Sequence, residues 1–133
     1  MNVVDSSGWI EYFLNSPMAE FFAPAAEDVT RLVVPSIALL EVHRFLSRSF
    51  LPADRDVCLD IMRRAQVIDL TDARAIAASE AAQNHKLALA DAVMYSIAQE
   101  FKATLWTQDV DYEGLPGVQY QARQVGQSGV GAA

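Results

Sequence analysis

The chain has 133 residues, the size of one domain and enough to bury about two thirds of its unfolded surface. Hydrophobic residues make up 52% and charged ones 20%, which excludes a disordered chain; no apolar run reaches the roughly 18 residues of a bilayer span and residues 1–5 carry no basic leader, so a cytoplasmic protein without a membrane partner is expected. The net charge is −7, and the lone Cys58 and the separated His43 and His85 exclude a disulfide framework and a zinc helix, so any metal must be held by oxygen.

Residues 1–4 read as a short apolar strand that meets Asp5 and Ser6, both good helix N-caps, and passes into a helical run over 9–14. Pro17 breaks this run, a weakly amphipathic helix follows around 18–28, and Leu32, Val33 and Val34 ahead of Pro35 read as a second buried strand. Ser36 is expected to cap a helix over about 37–49, and Leu51-Pro52 introduces another over 54–64, with its proline and acids where a helix start favours them. Residues 66–70 read as a third strand, and Thr71 and Asp72 cap an alanine-rich helix reaching about 84.

Residues 87–101 show apolar side chains at helical spacing, 103–106 read as a fourth strand ending at Thr107, and a polar loop covers 108–114. Pro116-Gly117 turns the chain into a short last strand over 118–120. The Gly, Ser and Gln content after Arg123 predicts a disordered tail over 124–133, leaving 1–123 as a single domain. Short apolar strands alternating with longer helices predict an α/β fold, a three-layer sandwich around a central, mostly parallel sheet of four to five strands. In such sheets a site forms beyond the carboxyl ends of the strands where their order reverses, and Asp5 and Asp109 both follow strands.

Three acids are oddly placed for surface charges. Asp5 ends the apolar run Asn2-Val3-Val4, Glu41 sits among Ile37, Leu39, Leu40 and Val42, and Asp91 sits within the run from Leu87 to Met94. An ionised carboxylate that is partly buried costs several kcal/mol unless something compensates it, and few bases lie nearby in sequence. A divalent cation would compensate them; setting four acids aside as ligands, with Asp109 the fourth, leaves 13 of the 17 against 10 bases, a balance of −3. Magnesium or manganese takes carboxylate oxygens together with waters, and phosphodiester hydrolysis needs both an activated water and relief of charge on the phosphate oxygens.

At these points the sequence resembles the PIN-domain family, most closely the VapC-type toxins of toxin-antitoxin pairs. The motifs are Val3-Val4-Asp5-Ser6-Ser7 with Trp9-Ile10-Glu11-Tyr12-Phe13 behind it, Pro35-Ser36-Ile37 leading to Glu41, Leu89-Ala90-Asp91-Ala92, and Leu105 to Asp111. The resemblance implies a metal-dependent endoribonuclease in which Asp5, Glu41, Asp91 and Asp109 ligate or orient Mg2+ or Mn2+ and its water. It also implies that Ser6 and Thr107 hydrogen-bond these groups and that Asp111 is a further acid at the rim. An RNA substrate, a homodimer and a VapB-like antitoxin that lays a chain segment across the carboxylates follow from the same resemblance.

Taken singly, Asp5 and Asp91 also read as helix caps and Glu41 as part of a solvated polar stripe. Arg44 and Arg48, one and two turns beyond Glu41, read either as an RNA-binding face or as a solvated one. His43 reads as a packing or surface residue, and Trp9, Tyr12, Phe13, Phe21 and Phe22 as core or dimer contact. Two other functions fit an α/β fold with aspartates at strand ends: an aspartate-based phosphoryl-transfer or receiver domain, and a catalytically silent PIN-like interaction module. The first wants a second acid close behind Asp5 and a lysine ending a late strand, whereas Ser6-Ser7 follow Asp5 and Lys102 precedes its strand; the second would be favoured by the loss of one of the four acids.

Overall fold

The computed structural model describes residues 1–124, so all but the first residue of the expected tail lies outside the described residues. The strands are β1 (Asn2–Val4), β2 (Val33–Pro35), β3 (Gln66–Ile68), β4 (Thr104–Thr107) and β5 (Val118–Tyr120). The α-helices are α1 (Ser6–Phe13), α2 (Ala19–Ala26), α3 (Ser36–Ser49), α4 (Pro52–Met62), α5 (Asp72–His85) and α6 (Leu89–Glu100), with 3-10 turns at Val29–Arg31 and Val110–Tyr112.

All three strand pairings are parallel, as expected for strands buried on both faces. β4 lies between β1 and β5, with Val4 opposite Trp106 and Thr107 opposite Tyr120. β2 and β3 form a separate pair, and a lone parallel bridge from Asn2 to Leu32 sets that pair beside β1, so that the strands run in the order β3-β2-β1-β4-β5. Chain order thus reverses at β1, and the loops leaving β1 and β4 open side by side. Val3, Val4, Val33, Val34 and Leu105 are fully or almost fully buried between helices that supply Trp9, Phe22, Val42, Leu46, Met94 and Ile97.

Gly8 sets how closely α1 approaches this core. A Cβ at that position would lie 2.5 Å from the Phe22 ring and 2.9 Å from Val4, so only glycine lets the start of α1 sit against β1 and α2. Ser36 is not the cap it reads as from sequence: it is the first helical residue, and Pro35 takes the N-cap position without a side-chain hydrogen bond. β2 runs straight into α3 there, and the proline ring, at φ −59°, fixes the turn. The third strand stops at Ile68 because β2 offers it only three partners, and the sixth helix starts at Leu89 because Lys86, at φ 56°, ends α5 in the left-handed conformation. Cys58 is buried, as its reading as core filler requires, and no helix among the described residues is long and apolar enough to cross a membrane.

Candidate metal centre

Asp5 is the residue at which β1 becomes α1. Its amide donates to the Trp106 carbonyl, continuing the ladder to β4, while its own carbonyl accepts the amides of Gly8 and Trp9 and starts the helix. Its side chain is therefore fixed at the carboxyl edge of the sheet, only 6% exposed. Oδ1 accepts the Ser6 amide at 2.8 Å, Oδ2 accepts the Thr107 hydroxyl at 2.9 Å, and Ser7 Oγ lies 3.4 Å from Oδ2.

These bonds belong to a longer chain. Ser6 Oγ donates to Glu41 Oε1 at 2.7 Å, which brings the half-buried second turn of α3 to the start of α1. On the other side, Thr107 Oγ1 also accepts the Asp109 amide at 3.0 Å, and Asp109 Oδ1 accepts the Asp111 amide at 2.9 Å. Glu41, Ser6, Asp5, Thr107, Asp109 and Asp111 are thus linked end to end across α3, α1, β4 and the turn that follows it. Asp91 enters from the first turn of α6, where its backbone carbonyl accepts the hydroxyl of the fully buried Tyr112 at 3.0 Å.

Asp91, Asp109 and Asp111 each offer one carboxylate oxygen within 4.8 Å of the others. Asp111, read from sequence as a rim acid, belongs to this tight triple, whereas Asp5 and Glu41 do not and are tied to it through Thr107 and Ser6. Burial drives the Asp5 carboxyl up to about 7; the Thr107 hydroxyl pulls the other way, and the charges of Asp91 and Asp109 push it up further. Asp91 is also raised, first by burial and then by the charges of Asp109, Glu41 and Asp111. Tyr112 is raised by burial and by Asp5 and Asp91, and stays a neutral donor.

No base pairs with any of these five acids among the described residues; the four ion pairs there lie elsewhere. The donor set is carboxylates and hydroxyls, which suits a hard dication that keeps part of its water shell. Arg44 and Arg48 are exposed on α3 and form no ion pair among the described residues, and His43 is exposed with Ser47 Oγ 3.5 Å from Nδ1. Two side chains that the sequence reading left without a role adjoin the centre, Tyr112 and Glu11. Tyr112 directly follows Asp111 and Glu11 lies within the Trp9–Phe13 motif, but the partners of both are far away in sequence, so their roles are not written locally.

A family model described as PIN domain matches residues 3–117. The fold is similar to that of a toxin-antitoxin complex from Klebsiella pneumoniae, with a TM-score of 0.79 at 19% identity over 94% of this chain and 100% of that one. It is also similar to DNA-bound VapBC from Salmonella typhimurium, with a TM-score of 0.70 at 20% identity over 92% of this chain and 98% of that one. VapBC2 from Rickettsia felis, bound to a DNA fragment from its promoter, gives a TM-score of 0.69 at 19% identity over 91% and 97%. At such identities the likeness is one of fold; no curated protein matches the sequence.

Proposed function

The chain belongs to the PIN domain family, and from that premise we propose that it is a metal-dependent endoribonuclease and the toxin of a toxin-antitoxin pair. The observation that carries this reading is the convergence of Asp91, Asp109 and Asp111 with the hydrogen-bonded Asp5 and Glu41, none of which pairs with a base among the described residues.

Asp91 and Asp109, with Asp5 and Glu41 from the other side, would hold Mg2+ or Mn2+, and Asp111 lies close enough to join them. The ion, when bound, supplies Lewis acidity that activates water and offsets charge on the phosphate and the leaving oxygen. The protein's part is to keep its acids in place against their mutual repulsion. Thr107 does this for Asp5 and Asp109 together, since one hydroxyl donates to the first and accepts the amide of the second. Ser6 does it for Glu41 and Asp5, by its hydroxyl and its amide. Burial and the charges of Asp91 and Asp109 raise the Asp5 carboxyl, so a cation bound beside it would favour its ionised form.

Arg44 and Arg48, exposed beyond Glu41 on the same helix, would hold the RNA backbone beside the carboxylates. The VapBC complexes whose fold this chain shares support an antitoxin as its protein partner, and a homodimer in the cytoplasm completes the reading. The test is purified protein, freed of any antitoxin and incubated with structured RNAs with and without Mg2+ or Mn2+. Metal-dependent cleavage that leaves a 5′-phosphate and is lost in Asp91→Asn supports the reading; cleavage that persists unchanged in that variant, or none with either metal, defeats it.

A further inference from the structure

The Trp9-Ile10-Glu11-Tyr12-Phe13 motif contains an acid that the metal centre does not use. Glu11 is on the second turn of α1 and is 6% exposed. Its Oε2 accepts Gln108 Nε2 at 2.9 Å and Arg123 Nε at 3.0 Å. Gln108 is the residue between Thr107 and Asp109, so this bond ties the segment that carries two members of the centre to the helix whose N-cap is Asp5. Arg123, just past β5, closes the same carboxylate from outside and is 70% exposed.

We propose that Glu11 is a positioning residue for the metal centre: through Gln108 it fixes the Thr107–Asp109 segment against α1 and so sets where Asp109 stands relative to Asp5. The inference rests on the nuclease reading for its consequence in catalysis, but the tether is a property of the apoprotein. Without Glu11 the segment keeps the Thr107 hydroxyl bonds and the backbone bonds from Gln121 to Thr107 and from Tyr112 to Asp109, but loses its side-chain tie to the second turn of α1. Partners that orient a metal's ligands from behind are worth about 10- to 100-fold in metal affinity. A pocket of about 200 Å³ opens over Glu11, Gln108 and Arg123, so water can enter the space vacated by a smaller side chain.

The experiment compares Glu11→Ala, Glu11→Gln and Gln108→Ala with wild type by Mn2+ titration, thermal unfolding and amide hydrogen exchange. Glu11→Ala and Gln108→Ala should each weaken Mn2+ binding about tenfold and speed exchange at the Asp109 and Asp111 amides while the sheet amides keep their protection. The double variant should lose no more than either single one. Glu11→Gln keeps an acceptor for Gln108 and should restore most of the affinity. Wild-type Mn2+ affinity and exchange in a folded Glu11→Ala or Gln108→Ala would overturn the proposal; should Glu11→Ala fail to fold, Gln108→Ala decides alone. Faster exchange and weaker Mn2+ binding in variants of a protein that cuts no RNA would sink the nuclease reading and leave the tether standing.

Discussion

Asp5 caps the helix that carries Glu11 six residues on; both are little exposed to solvent, yet their carboxyls are shifted in opposite directions. Burial is the largest influence on both and raises both. At Glu11 it is outweighed by hydrogen bonds from Gln108 and Ser16 and by the charge and hydrogen bond of Arg123, and the carboxyl ends below the ordinary range. At Asp5 the Thr107 and Ser6 hydrogen bonds are opposed by Asp91 and Asp109, and the carboxyl ends near 7. Low exposure alone therefore says little about how an acid is shifted. Glu11 is compensated from within the chain by Gln108 and Arg123, whereas Asp5 and its neighbours pair with no base among the described residues, and theirs is the charge that the proposed cation would answer.

The contrast breaks most visibly at the open end. Asp91→Asn should lower metal-dependent RNA cleavage about a thousandfold, the rate equivalent of losing several kcal/mol of charge stabilisation, while its thermal unfolding stays close to wild type; steady-state cleavage and a melting curve check both halves. At the closed end stability falls as well. Glu11→Ala should cost about 1–3 kcal/mol in chemical denaturation, because Gln108 Nε2 and the Arg123 guanidinium lose their shared acceptor.

Asp5→Asn sharpens the comparison through pH. A carboxyl whose value rises from 3.8 to about 7 on folding contributes stability that is fully present below the unfolded value and is lost as pH climbs through the folded one. The metal-free variant, with an uncharged side chain that still caps α1, should therefore melt on the order of 5 °C above wild type at pH 8, with the gain vanishing toward pH 4. Added Mg2+ should close the gap by stabilising wild type alone. Equal melting temperatures at pH 8 without metal would remove the electrostatic strain attributed to Asp5.

The cations repeat the pattern on a smaller scale. Arg44 and Arg48 have no carboxylate partner among the described residues, and replacing either by Ala should reduce the salt slope of RNA binding by about 1. Arg74 is engaged in a two-pronged bond to Glu100 at 2.9 Å, with no part in the centre. Arg74→Ala should cost at most about 1 kcal/mol, as exposed pairs do, and leave cleavage unchanged.

The open end of this contrast was the more readable from sequence. Asp5 and Asp109 follow apolar strands, and Glu41 and Asp91 interrupt apolar helical runs, so the conflict between charge and surroundings is written locally. β5 has the bounds its Pro-Gly turn implies, and α5 the Thr71 cap its start implies. What sequence could not give depends on chain segments meeting. The sheet's division into three strands and two is set by which strands pair across the fold. Asp111 joins the triple because a 3-10 turn at Val110–Tyr112, not an open loop, folds it back toward Asp91. Glu11 looks like any helix acid because Gln108 and Arg123 lie 97 and 112 residues further on.

Calorimetric titration of Mn2+ into the metal-free protein at pH 6 and pH 8 tests most directly whether these acids are held apart for a cation. The expected result is binding that tightens with pH, releases protons at pH 6 as Asp5 ionises, and disappears in Asp91→Asn and Asp109→Asn while those variants still fold. Binding of equal strength in wild type and both variants, or no binding to wild type at either pH, would contradict it.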